Sequence, residues 1–539
     1  MAMMGASGLL ITFAGSTEVM AQAVVPAGET SQAAEQRTFN IPPQPLQSAL
    51  VLFGQQAGRQ VAADGAQIRG VASPGVQGTM SVEEALRRLL AGTGFTYDGA
   101  AGAIITVQRL GATGLPPGVM QLDPVQVQGY PVPSQAMIDN VMPPYAGGQV
   151  ATGGQLGLLG NRGVMDTPFN QTSYTAKKAQ DQQAKTVQDV LIDDPSVRTI
   201  RADGVPGSDG MRIRGFTVDT TDISYGGLYG ILPSFSIMSE LAERVEVLKG
   251  PTVMLNGMPP TGAIGGSINL VPKRAPDEPL TQATANYVSG AQFGGHADVA
   301  RRFGDDKQFG VRVNGVFRAG QTDVRWNSDE RALGVAGLDF RGESVRFSAD
   351  VGYQYQYIGG AISYLGVMPG IPLPWAPSAR SNAAGQPWNY SERKDLFGVF
   401  RAELDVTDWL TAYVSLGTHD SRTTGLYADG VGITDVNGAA FTLPRNFSGY
   451  TTYRTAQAGA RALADTGPIG HELAFTATTY LSQAGAASVL GPQFNTNIYN
   501  PTIVARPSLA TPNATQTSTS QLSSLGLAEL REAGAARVA

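Results

Sequence analysis

At 539 residues the chain exceeds one ordinary domain, and roughly two to four units are expected. Its 67 glycines and 15% charged residues suit a turn-rich β protein, and the lack of any cysteine removes thiol catalysis, disulfides and thiolate metal sites. Three histidines, at 296, 419 and 471, leave little for a His-rich metal centre, and a net charge of -6 argues against a nucleic-acid partner.

In chain order, residues 1–23 read as an export signal, with an apolar run at Leu9 to Phe13 and a small-x-small site at Ala21-Gln22-Ala23. After residue 25 no stretch of ~18 apolar residues occurs, so any membrane crossing falls to barrel strands. Residues 24–110 then read as a small α+β unit. A helix over Pro45 to Gln56 turns Leu46, Leu50 and Phe53 inward. A second begins at Ser81, where Ser81-Val82-Glu83-Glu84 fits a capping box; Leu86, Leu89 and Leu90 form its apolar face, and Gly92 or Gly94 can end it. Strands are expected at Arg37 to Ile41, around Val61 and at Ala101 to Val107. By pattern alone any small βαβ domain fits. The order FNIPPQPLQSALVLFGQQAGRQV then GTMSVEEALRRLLAGTGFTY resembles the short N-terminal signalling domain of secretins and of transducing TonB-dependent receptors. That resemblance implies a periplasmic contact with an inner-membrane anti-sigma regulator.

Residues 111–165, rich in Gly, Pro and Gln, read as a linker. Inside it, Leu122-Asp123-Pro124-Val125-Gln126-Val127-Gln128 alternates Val and Gln after an acidic residue, and such a segment can add as a strand to a partner's sheet edge. On residues alone it is an edge strand or plain linker; by position it resembles a TonB box, implying TonB coupling through Asp123, Pro124, Val125, Gln126 and Val127. Gly154, Gly157 and Gly160 have no strand before and no helix after them, so they do not read as a phosphate loop.

In residues 166–275, Thr186 to Leu191 reads as a helix with Val187, Val190 and Leu191 buried, ending before Asp194-Pro195. A strand follows at Val197 to Arg201. In Gly210-Met211-Arg212-Ile213-Arg214-Gly215-Phe216, Met211 and Ile213 take one face and Arg212 and Arg214 the other. The stretch Glu243 to Arg274, ERVEVLKGPTVMLNGMPPTGAIGGSINLVPKR, reads as strands Val245 to Leu248 and Ser267 to Val271 around a turn-dense segment holding Gly250, Pro251, Gly265 and Gly266. It resembles the end of the plug domain of TonB-dependent outer-membrane receptors, especially those for ferric siderophores. The resemblance makes Thr217 to Ser236 a surface loop whose Tyr225 and Tyr229 can stack on a flat ligand; an apolar patch against a barrel wall is the other reading. It also implies plug-structural roles for Arg212, Arg214, Gly215, Glu243, Arg244, Glu246, Gly250, Pro251, Gly265 and Gly266, with the charges meeting opposite charges on the wall. No directly bound cofactor or metal is expected, because a ferric siderophore brings its own oxygen ligands to the iron.

Residues 276–539 change to period two. Val345, Phe347, Ala349, Val351, Tyr353, Tyr355 and Tyr357 alternate with Arg346, Ser348, Asp350, Gln354 and Gln356; Phe309 to Phe317 and Phe400 to Val406 repeat the rule. Short turns such as Gly304-Asp305-Asp306 and longer loops such as Gly359 to Gln386 fit a transmembrane barrel, although sandwiches and propellers share the alternation. Tyr357, Trp375 and Trp388 would then line the outer mouth for ligand, with a lipid-interface belt as the competing reading. Roughly ten strands are found where plugged transporters have about 22. Leu525 to Ala539 reads as a polar, helix-prone tail, so an interrupted barrel is expected. No GxxxxGK[ST], HExxH or GxSxG motif occurs, and no enzyme is expected.

The expected architecture is an α+β signalling domain and an α+β plug, followed by an incomplete antiparallel transmembrane β-barrel. The expected function is outer-membrane ferric-siderophore uptake with signalling. Its partners would be the siderophore, TonB, an anti-sigma regulator and outer-membrane lipid. A non-transporting sensor or an inactive fragment of such a receptor is the alternative.

Overall fold

The computed structural model describes residues 36–63, 68, 70–98, 104–109, 136–201, 209–288, 290–383 and 385–533. Two units result, Met1–Gln126 and Val127–Ala539. The export segment and the TonB-box segment lie outside the described residues.

In the first unit, helix Leu46–Ala57 buries Leu46, Ala49, Leu50, Phe53 and Ala57 and is closed by Gly58 in the left-handed region. Phe53 stacks on Phe39 of strand Gln36–Ile41, ring centroids 5.4 Å apart. Helix Val82–Leu89 is capped by Ser81, whose hydroxyl accepts from the Glu84 N–H at 3.2 Å. Only half of the expected capping box forms, because the Glu84 carboxylate turns outward to Arg87 and Arg88. Gln36–Ile41 pairs antiparallel with Val76–Ser81, and Gln60–Ala63 runs parallel to Ile104–Arg109.

The second unit is a plug lying against one curved wall. The plug's main sheet has four strands, β1 (Asn170–Thr175), β2 (Ile223–Tyr225), β3 (Ala242–Lys249) and β4 (Gly266–Pro272), in the order β1-β3-β4-β2. One face carries Val245, Val247, Ile268 and Leu270 into the plug core. The other carries a polar row, since Ser173 faces Glu246, Glu246 faces Asn269 and Asn269 faces Ser224 in register. Residues 136–165, expected as linker, are instead built into this unit: Gly153–Gln155 pairs with Asn161–Gly163, and Leu156 and Leu159 bury against Leu248 and Leu255. Glycine here permits close approach rather than flexibility; a Cβ on Gly157 would strike the Leu255 carbonyl.

The expected surface loop at Thr217 to Ser236 is also corrected. It holds the end of strand Phe216–Val218, a one-turn helix at Thr220–Asp222 and β2, and most of it is buried.

Ten strands follow as an antiparallel meander: β5 (Leu280–Val288), β6 (Gln292–Phe303), β7 (Phe309–Gln321), β8 (Ser328–Arg341), β9 (Val345–Gly359), β10 (Tyr390–Thr407), β11 (Leu410–Ile433), β12 (Ala439–Thr466), β13 (Ile469–Leu490) and β14 (Thr515–Ala533). Burial along them is inverted relative to a soluble sandwich. On β9, Arg346, Ser348, Asp350, Gln354 and Gln356 are buried, while Val345, Phe347, Val351 and Tyr353 are exposed. The same holds for Arg312 and Asn314 against Val313 and Phe317 on β7. An outer face of Val, Phe and Leu with a buried polar inner face is what a lipid-facing barrel wall requires, and it rules out the sandwich and the propeller.

Strand β14 corrects the expected helical tail as far as Ala533, residues 534–539 lying outside the described residues: Leu525 and Leu527 continue the exposed apolar face, 80% and 76% accessible. Period two was hidden there because the inner positions are Gly526, Ala528 and Leu530 rather than strongly polar residues. Turns at the β6–β7, β8–β9, β10–β11 and β12–β13 ends are short, and the loops 360–389 and 491–514 emerge at the opposite end. Among the described residues β5 and β14 do not pair with each other, so the sheet is open. Unpaired edges are not tolerated in hydrocarbon. The chain expressed by itself should therefore show no heat-modifiable gel migration and should be digested by protease in the membrane fraction; a resistant, heat-shifted band would contradict this.

Candidate functional site

The seam between plug and wall is set by chain direction. Strand β4 delivers Lys273 and Arg274 to the inner face of the wall just before β5 begins. Arg274 forms a two-bond fork with Asp350 of β9 at 2.6 and 2.7 Å, where the Asp350 side chain is 1% exposed. Lys273 reaches Asp298 of β6 at 2.9 Å. Arg312 of β7 binds both oxygens of Asp298 at 2.8 Å and also Glu243 of β3 at 3.1 Å. Glu243 and Arg244 thus lie at the seam as the sequence suggested, but Arg212 and Arg214 do not. Both are exposed, and no carboxylate partner is found for either among the described residues. Arg214 and Gly215 form the two-residue turn between Met211–Ile213 and Phe216–Val218, where both are exposed.

Glu246 meets the plug's own polar face instead of the wall. Asn269 donates to it at 2.9 Å, and Asn269 also donates to Gln155 at 2.9 Å. Burial pushes the Glu246 carboxyl up to about 7, offset in part by the Asn269 hydrogen bond. At the turn-dense end, the Gly250 N–H donates to the Gly265 carbonyl at 2.9 Å, tying β3 to β4 beyond Pro251. A Cβ on Gly265 would strike the Ile213 carbonyl; Gly266 opens β4 in register with Lys249.

Higher on the plug, the segment 234–238 meets a polar patch of the wall. Gln354 donates to the Ser236 carbonyl at 2.6 Å and accepts from the Met238 N–H at 3.1 Å. The Ser234 N–H donates to Asp395 at 3.3 Å, and His419 contacts the same carboxylate at 3.0 Å. Arg393 lies 4.4 Å over the Phe235 ring.

Tyr225 and Tyr229, expected as exposed ligand aromatics, are 1% and 7% accessible. Tyr225 packs edge-on against Phe397, and Tyr229 clusters with Tyr453 and Tyr480. Burial pushes both phenols up, and neither hydroxyl has a hydrogen-bond partner. The glycines around them bend the chain inward to the wall, which the sequence could not distinguish from an outward loop. Tyr357, Trp375 and Trp388 lie on or beside loop 360–389. Tyr357 stacks on Tyr390, Trp388 donates to the Val504 carbonyl at 2.9 Å, and Trp375 is 87% exposed. The structure does not bring these three together with Tyr225 and Tyr229. Missed by sequence reading were Asp298, Asp350, Asp395 and Glu403 as specific partners; their signal was a carboxylate at an inward position of an otherwise apolar-alternating strand.

Between the plug helix Ala176–Asp181 and β5 to β7 lies a cleft of about 350 Å³, lined by Gln180, Gln183, Lys273, Gln282, Thr284 and His296 among others. The seam is thus a charge-paired contact between a folded domain and the inner face of the wall, with a cleft beside it.

Such a fold, an α+β plug against the polar face of strands whose other face is apolar, is that of a plugged β-barrel protein with its wall open. Residues 163–267 match the TonB-dependent Receptor Plug Domain family, and residues 59–110 match the Secretin and TonB N terminus short domain. The chain is 40% identical over 388 residues to the ferrichrome receptor FcuA of Yersinia enterocolitica, covering 71% of this chain and 50% of that protein. Among solved structures it resembles BauA, the ferric preacinetobactin receptor of Acinetobacter baumannii, with TM-score 0.69, 37% identity, 72% of this chain and 59% of that one covered. The FpvA receptor of Pseudomonas aeruginosa bound to a pyoverdine shares the fold at TM-score 0.58 and 18% identity, over 93% of this chain and 64% of that one. The chain thus carries the plug domain of TonB-dependent receptors with the short N-terminal domain ahead of it, and its relatives are named as receptors for siderophores. It spans about half the length of the Yersinia relative.

Two variants test the seam. Asp350→Leu should destabilise the second unit by about 3–5 kcal/mol, because it leaves Arg274 buried and unpaired, and Arg274→Met in the same chain should recover much of the loss. Tryptophan fluorescence in denaturant reads this, all four tryptophans lying in the wall region. Glu246 gives a pH dependence. The native state holds its proton up to about pH 7, whereas an unfolded chain releases it near the ordinary carboxylate value. Stability from this group is therefore fully present below about pH 4.5 and lost as pH rises through 7, by roughly 3 kcal/mol at most. Glu246→Gln should flatten that slope in denaturation curves collected from pH 5 to 8.

Proposed function

We propose that this chain is the plug-bearing portion of a receptor for energy-dependent uptake of a ferric siderophore across the outer membrane, with its first unit in the periplasm. The observation that carries this is the seating of a siderophore-receptor-type plug, by Arg274 and Asp350, on the polar face of strands whose other face is apolar. Relatives named as receptors for ferrichrome, pyoverdine and preacinetobactin support the ligand class. The cargo iron arrives already chelated, so the protein recognises the chelate rather than the metal. Ligand would be held above the plug by the loops around Trp375 and Trp388.

Coupling to the inner membrane would use Asp123, Pro124, Val125, Gln126 and Val127 as a strand added to TonB. The first unit would report occupancy to an anti-sigma regulator, a role supported by its match to the short N-terminal domain. Deleting the segment from Leu122 to Gln128 in a full-length homologue should abolish uptake of iron-loaded siderophore while leaving its binding to whole cells unchanged. Uptake persisting after the deletion would refute the coupling.

A further inference from the structure

The segment Ala136–Asn140 is fixed to the short-turn end of the wall by two separate contacts. Glu403 of β10, fully buried, accepts from the Met137 N–H at 3.2 Å and from the Ile138 N–H at 3.3 Å. Asp139 reaches Arg302 of β6 at 3.3 Å and Arg341 of β8 at 3.7 Å. Met137 fills the space between Arg401 and Arg461. Asp139 holds a left-handed backbone with φ of 61°, which few residues other than Gly, Asn and Asp adopt readily.

The charges at this contact do not balance. Arg302 and Arg341 face three carboxylates, because Asp339 pairs with Arg302 and Asp277 pairs with Arg341. One Asp339 oxygen has no donor. Arg274 nearby is committed to Asp350, and Lys307, at the rim, reaches only the Asp277 backbone carbonyl. Of the three acids, Asp277 and Asp339 sit on the hinge to β5 and on β8 itself, whereas Asp139 belongs to the incoming chain. When Asp139 leaves, two guanidiniums remain with two carboxylates.

We propose that Ala136–Asn140 is a reversible charge latch, held by Glu403 and the Arg302–Arg341 pair and made releasable by the surplus carboxylate at that pair. Release of its five residues frees about 17 Å of chain ahead of the plug at full extension. On the receptor reading above, that length sets how far the segment Asp123 to Gln128 can reach. The latch itself is tested without ligand, TonB or transport, so its failure and the failure of that reading are separable.

The chain lacks cysteine and Ala136 is fully buried, so Ala136→Cys places a single thiol under the latch. In the full chain, N-ethylmaleimide should modify it slowly compared with the urea-unfolded protein. Adding Asp139→Asn should raise the rate roughly tenfold or more, the size expected for loss of charge-assisted bonds. Adding Asp339→Asn, or the more exposed Asp277→Asn, should lower it, since each removes a competitor for the same arginines. A parent thiol that reacts as fast as the unfolded chain overturns the proposal. So does an unchanged rate with Asp139→Asn, or acceleration with both Asp339→Asn and Asp277→Asn.

Discussion

The arrangement depends on one constraint: each wall strand has an apolar side for lipid, so a charge within the apolar band must turn inward and find a partner there. A barrel filled with water could leave those charges solvated. Here the inner face is covered by a folded domain, and Asp298, Asp350 and Arg312 are almost completely removed from water. Burying a charge costs several kcal/mol unless an opposite charge meets it with good geometry. The plug supplies Lys273, Arg274 and Glu243 at those points, and Asp350 depends on Arg274 for its ion pair.

Buried ion pairs of this kind contribute little net stability compared with apolar contacts of similar volume. What they do contribute is register. Arg274 can make its fork only with a carboxylate in the right place, and Gln354 pairs two backbone groups of 236–238 only at one height. The plug is therefore aligned by polar contacts and filled by apolar ones, with Tyr225 on Phe397 and Tyr229 among Tyr453 and Tyr480.

The sequence made the strands legible because lipid imposes strict alternation: Val345 to Tyr357 could be read residue by residue. The same rule failed at Leu525 to Ala533, where small inner residues erase the contrast between faces. Glycine was the other source of error. At 153–157 it marks close contact with the plug sheet, yet its composition matched a linker. Around Tyr225 it bends the chain into the wall, yet it matched an exposed loop. Which carboxylate answers Arg274 was not legible either, because Asp298, Asp339 and Asp350 all occupy inward positions and only the curvature of the wall selects among them.

The three-to-two imbalance at Arg302 and Arg341 contrasts with the matched pairs elsewhere on the seam. Arg274 and Asp350 are one to one, and Lys273 and Arg312 meet Asp298 and Glu243 two to two. Matched pairs resist separation because parting them strands a charge. A surplus carboxylate does not, since its departure relieves repulsion among those that stay. The wall thus holds the body of the plug with balanced contacts and the incoming chain with an unbalanced one. Tension applied from the N-terminal side meets the weaker contact first, and the plug can remain seated while the strap ahead of it comes free.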